Sequence, residues 1–164
     1  MATLYWSQSS AFPTTAVAPS LVATGTSIKT LLQVATPSTE RLKVVEWGIS
    51  LDTPASAGTV LCELVQTNVA ASVGTSITPE PYEDPNNPAS LCVGGAALTC
   101  FQPTTEGSTT AVRFGDVQNL TPPYNYVKQW PLGREFGVPI SKFLRVRVTA
   151  TVTCNAFAYV IWEE

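Results

Sequence analysis

From Phe143 the chain alternates without a break. Leu144, Val146, Val148, Ala150, Val152 and Cys154 fall on one face, and Arg145, Arg147, Thr149, Thr151 and Thr153 on the other. Side chains along an extended strand point to opposite faces in turn, so this two-residue period predicts a long half-buried β-strand with a Thr/Arg outer face. The next segment, Ala156-Phe157-Ala158-Tyr159-Val160-Ile161-Trp162, is apolar on both faces. That pattern predicts a strand covered on both sides, by a second sheet and by a neighbour. Cys154-Asn155-Ala156 is the expected turn between the two, because Asn tolerates left-handed backbone.

The same period recurs upstream. Ile28, Thr30, Leu32 and Val34 alternate with Lys29, Leu31 and Gln33, and Val45, Trp47, Ile49 and Leu51 share a face. Turn signals at Thr36-Pro37-Ser38 and at 54–58 separate these runs from a strand over Thr59–Thr67. Shorter strands are expected over Thr109–Phe114 and Tyr124–Trp130, with Val138-Pro139 at an edge or in a loop. About seven or eight strands with turns between them make an all-β chain, a β-sandwich or jelly roll. At 164 residues the chain has the size of one domain. We divide it into an extended N-terminal arm, 1–26, and a single sandwich, 27–164.

Two stretches break the pattern. Residues 70–110 carry Pro79, Pro81, Pro85, Pro88 and Pro103 with four glycines, and predict long ordered loops at one end of the sandwich, with a helical turn near 69–73. The arm is rich in Ser, Thr, Ala and Pro, yet carries Leu4, Tyr5, Trp6 and Phe12. Large apolar side chains need burial against something. Folding back onto the chain's own sheet is one solution, and contact with a neighbouring subunit or another protein is the other. We take these four as candidate partner contacts, and expect deletion of 1–26 to leave the fold intact.

Charge narrows the function. Lys+Arg 9 against Asp+Glu 12 gives −3, and there is no His. Nucleic acid is not an expected partner, since phosphate binding rests on clustered Lys and Arg. Imidazole chemistry is excluded outright. Charged residues make up only 13% of the chain, against a usual ~25%, so the surface is neutral and suited to being covered by other chains. No run approaches the ~18 apolar residues of a membrane span. No basic start with an apolar run marks a secretory signal. A soluble chain made in a cytoplasm is expected.

Signatures of chemistry are missing. There is no G-x-S-x-G elbow and no phosphate-binding glycine motif. The acids Asp52, Glu63, Glu106, Asp116 and Glu135 are scattered. Neither an enzyme nor a cofactor is expected. Cys62, Cys92, Cys100 and Cys154 contain no C-x-x-C pair and are expected as free thiols, with a Cys92–Cys100 disulfide closing a small loop as the alternative and no zinc site. The loop Pro79–Pro88 offers Glu83, Asp84, Asn86 and Asn87 as hard oxygen donors, but not in EF-hand order, and is taken as structural. Tyr124, Tyr126 and Trp130 are the candidates for stacking on a sugar ring in an alternative, carbohydrate-binding reading.

Several segments taken together carry a resemblance: Val45–Asp52, Cys62-Glu63-Leu64, Gln129–Glu135, Phe143–Ala150 and Tyr159–Glu164. Over Leu31–Glu164 the chain resembles small β-rich proteins of tailed bacteriophages taken to be capsid decoration (cement) proteins. The resemblance implies a jelly-roll-like, non-enzymatic virion subunit on the capsid surface, often a homotrimer, with the major capsid protein as partner. It implies no particular binding residues. Other virion parts (neck, tail, spike or capsid subunit) remain as alternatives.

Overall fold

The alternating segments become strands, but the run from Phe143 ends at Ala150, short of Cys154, and the strand expected over Thr109–Phe114 lies instead at Arg113–Leu120. The computed structural model describes residues 2–12, 18–93 and 98–164. Pro13 of the arm, and Gly94–Ala97 of the span between Cys92 and Cys100, lie outside the described residues. The described residues form thirteen strands, in order: β1 (Leu4–Gln8), β2 (Val22–Ala23), β3 (Lys29–Ala35), β4 (Leu42–Leu51), β5 (Val60–Thr67), β6 (Thr75–Ser76), β7 (Glu80–Pro81), β8 (Cys100–Phe101), β9 (Arg113–Leu120), β10 (Tyr124–Gln129), β11 (Phe136–Val138), β12 (Phe143–Ala150) and β13 (Asn155–Glu163). Eight of them have five or more residues. Among the described residues there is no helix, so the helical turn expected near 69–73 does not form.

Two antiparallel sheets make a β-sandwich. One runs β10-β4-β13-β1-β7, with β11 beside β4 and β2 beside β13; the other runs β6-β8-β3-β12-β5-β9. The eight longer strands pair in a nested order. First lies against last (β1 and β13), second against seventh (β3 and β12), third against sixth (β4 and β10), and fourth against fifth (β5 and β9). Each nested pair lies in one sheet, and successive pairs alternate between the two.

The core is what the alternation requires. Trp47, Ile49, Val160 and Trp162 from one sheet meet Leu32, Leu64, Leu144, Val146 and Val148 from the other, all buried. Burial of a large apolar side chain stabilises by about 1.5–3 kcal/mol. The phase on β4 shifts at a bulge opposite Ile161/Trp162. The inward set is therefore Leu42, Val44, Trp47, Ile49 and Leu51, and Val45, expected inside, is only half-buried.

The outer face of β12 differs from expectation. Arg145 and Arg147 do point away from the core, but both are buried, Arg145 completely. Their cover is the connection between β5 and β9. Its two ends, at Val69 and over 106–109, lie over the six-stranded sheet, while β7 in its middle pairs at the edge of the seven-stranded one. Arg145 Nη1 donates to the carbonyls of Glu106 (3.1 Å) and Ser108 (3.3 Å), and Nη2 to that of Val69. Arg147 bonds Thr109 O at 2.6 Å and pairs with Glu63, 2.9 Å away. Gln33 adds two ties, accepting from Ala71 N and donating to Leu98 O. Such bonds offset most of the cost of burying polar groups, although Arg145 Nε is buried without a partner. The expected turn at Cys154–Ala156 also moves, because β13 already begins at Asn155.

Residues 2–8 are not a detached arm. β1 pairs with β13 over five positions, from Leu4 with Glu163 to Gln8 with Tyr159. Then the chain leaves the sheet and returns as β2, which pairs with Asn155 and Ala156 of the same strand. Ser20 N donates to Ser10 Oγ at 2.9 Å and closes the base of that excursion. β1 and β2 thus lie end to end along β13, as one strand interrupted.

Candidate functional site

β1 sorts the four arm candidates by face. Tyr5 points inward: it is 4% exposed, its ring lies 6.4 Å from that of Trp162, and its hydroxyl donates to Pro88 O at 2.9 Å. That geometry makes it a core residue of this chain, not a surface one. Leu4 and Trp6 point outward and are half-buried. Phe12, from the excursion, packs edge-to-face on Trp6 with ring centroids 4.8 Å apart.

Register extends this outer face across the sheet. Glu80, Trp6, Ile161, Glu46 and Gln129 line up on successive strands. The next outward row is Gln8, Tyr159, Gly48 and Val127, and after it Phe157, Ser50 and Asn125. The Tyr159 hydroxyl and Gln129 Nε2 both donate to the Glu46 carboxylate. Burial is the first cause that lifts the Tyr159 phenol above its ordinary range, followed by its bond to Glu46. Lys43 pairs with Glu163 at 3.6 Å. Glu46 and Gly48 escaped the sequence reading, although the alternation on β4 puts both opposite Trp47 and Ile49.

The sugar-stacking candidates lie at the edge where β9 of one sheet meets β10 of the other. Tyr124 is 52% exposed. Tyr126 turns inward: its ring sits 5.6 Å from Trp47 and its hydroxyl donates to Asp116 Oδ2 at 2.8 Å. Asp116 is buried and also accepts from Trp47 Nε1 (3.2 Å) and Gln118 Nε2 (3.0 Å), and pairs with Lys128 at 3.2 Å. The Lys128 ammonium stands 5.0 Å from the centre of the Trp130 ring. The structure brings Tyr126 and Trp130 into one cluster, but as cross-links between sheets. Lower on the same edge the Arg113 guanidinium lies over Phe136, 5.1 Å from the ring centre, and donates to Gly137 O. Such ties shield an edge that would otherwise offer unpaired backbone to another chain.

Polar groups elsewhere serve the fold. Asp84 Oδ1 accepts from the backbone and side-chain nitrogens of Asn86, each at 2.9 Å, an Asx turn within the Pro79–Pro88 loop. A cleft between 24–29 and 103–106 is lined by Lys29 and Glu106, yet Lys29 Nζ bonds Ala23 O and both Glu106 oxygens hold Thr30. Among the described residues no group of three or more Asp, Glu, Cys or His is placed to hold a metal. All four cysteines are free and buried. Scans against protein-family models, curated proteins and solved structures find no match.

Proposed function

We propose that this chain is a non-enzymatic structural protein of a virus particle, which binds and reinforces the outside of a phage capsid shell. The nested pairing of eight strands carries the reading. First-with-last pairing, alternating between two sheets, is the order expected of a jelly roll, an architecture common in viral shells. The edges support it too, since one is tied by side chains and the other is continued by β6, β7 and β8. A subunit so closed meets partners through faces and loops rather than by open-ended strand addition. Shell reinforcement also suits a surface of few charges, because many modest contacts on one lattice add through multivalency. The major capsid protein is the proposed partner, and a homotrimer the proposed oligomer.

The carbohydrate reading has less support. Tyr126 spends its hydroxyl on Asp116, and Lys128 lies against Trp130. Of the three rings only Tyr124 stays largely open.

Rate-zonal sedimentation of a native lysate, with this chain followed by mass spectrometry, tests the proposal. Migration with megadalton particles, and release as a small oligomer by mild denaturant, is the expected result. A chain that stays at the top of the gradient overturns it.

A further inference from the structure

We propose that the outer face of the seven-stranded sheet docks a partner surface presenting arginine or lysine. The two sheets are treated differently by their own chain. The middle of the six-stranded sheet's outer face, on β12 and β3, lies beneath the β5–β9 connection, which buries Arg145, Arg147 and Gln33, and only toward β9 do Phe114 and Val117 stay open. On the seven-stranded sheet the chain covers the part around β1, where Phe12 packs on Trp6 and Gln8 and Ile161 are buried, while on the β4–β10 side Val127 stays 55% exposed and Ser50 is open, as is Glu80 at the far edge.

Charge selects the occupant. Glu80 and Glu46 lie in one row across this face, on either side of Trp6 and Ile161, with Tyr159 in the next row. The donors to Glu46, a phenol and an amide, leave its negative charge in place. Lys43, the cation in register on the face, is tied to Glu163. A second copy docked by this same face would set carboxylates toward carboxylates, and like charges in juxtaposition are costly. A guanidinium or ammonium finds aromatic rings and carboxylates side by side, the pairing both groups favour. Four strands of about eight residues span roughly 500 Å², part of it already covered around Gln8 and Ile161, and so fall short of the ~800 Å² per partner of a standard interface. The contact therefore fits repeated docking on a lattice better than one solitary tight complex.

The test has two arms. The first rests on the virion reading and measures co-sedimentation of the full chain with particles. The double variant E46K/E80K is expected to lose at least tenfold in occupancy, while Phe114→Ser on the opposite sheet keeps it. Wild-type binding with undiminished binding by E46K/E80K overturns this inference and leaves the virion reading standing. The second arm does not depend on particles: the ¹⁵N-labelled chain is titrated with a hexa-arginine amide. Shifts at Glu46, Gly48, Val127 and Tyr159 that vanish in E46Q/E80Q support the proposal. Shifts confined to other surfaces, or none at millimolar peptide, overturn it even if the chain proves to be on particles.

Discussion

The ring of Tyr159 fills the space beside Gly48 on the neighbouring strand. A β-carbon added at residue 48 would stand 2.8 Å from Tyr159 Cζ and 2.9 Å from its hydroxyl. The ring is not free to swing aside, because its hydroxyl is bound to Glu46. Gly48→Ala is therefore expected to destabilise by about 1–3 kcal/mol, the range of overpacking. Urea denaturation measures it. Combining Gly48→Ala with Tyr159→Ser should cost less than the sum of the two, because the second change vacates the space the first needs.

Glu63 and Arg147 form a buried pair, with side chains 7% and 6% exposed. Removing one partner strands the other charge. Glu63→Gln should cost about 3–5 kcal/mol, whereas Glu63→Leu with Arg147→Met should cost much less. A double-mutant cycle by chemical denaturation reads the coupling, and additive costs would refute it.

Asp116 and Tyr126 bind one proton between them and give the fold a pH signature at each end. Burial pushes Asp116 up, but bonds from Tyr126, Gln118 and Lys128, with the Lys128 charge, outweigh it and hold the carboxyl below its usual range. A depressed carboxyl gives stability that is present above the ordinary value of about 4 and lost as pH falls through the folded value. Tyr126 is pushed up to about 12, first by burial and then by Asp116. Its contribution is full below the ordinary phenol value of about 10 and fades as pH rises past it. In Asp116→Asn both slopes should flatten, with lower stability at neutral pH; urea midpoints at pH 2–5 and 9–12 decide this.

Burial dominates the titration of all four thiols. It is the first cause that lifts Cys62 to about 12, and it raises Cys92, Cys100 and Cys154 as well. Thiolate is the reactive form, so the native chain should be silent to a disulfide reagent at pH 8 for minutes. Four equivalents should react in denaturant. Cys100 lies within the connection that covers Arg145, and should be labelled ahead of Cys62 when that connection opens locally.

Deletion of residues 1–8 should damage the fold itself. It removes β1, uncovers one edge of β13 and takes Tyr5 from beside Trp162. The thermal transition should drop by many degrees or lose cooperativity. A truncated chain that melts like the full one would mean that β1 is a dispensable extension.

Much of this was legible in the sequence, for a local reason. Alternation around Val146 and Trp47 reports which side chains share a face, and the sandwich follows from it. What covers a face is not local. Arg145 was placed on the outer side correctly, yet its cover comes from Val69, Glu106 and Ser108, far away in the chain. Tyr5 and Trp6 carry no signal of which is core, since β1 is five residues long and its phase is set by β13. Tyr126 stands out in the sequence as an aromatic, but its partner Asp116 is there only one scattered acid among several. The nested strand order has no sequence signature at all.

That order has a consequence for how the protein is made. The two most C-terminal long strands are central ones: β12 sits between β3 and β5, and β13 between β4 and β1. On the ribosome, a nascent chain that has emerged as far as residue 140 has both flanks of each sheet and the middle of neither. Contacts between sequence-distant strands are slow to form, and half-built sheets with open edges are prone to stick to one another. Assembly of this domain should therefore wait for translation of its last two strands, and polysomes crowded with unfinished copies are where it would be most vulnerable to aggregation.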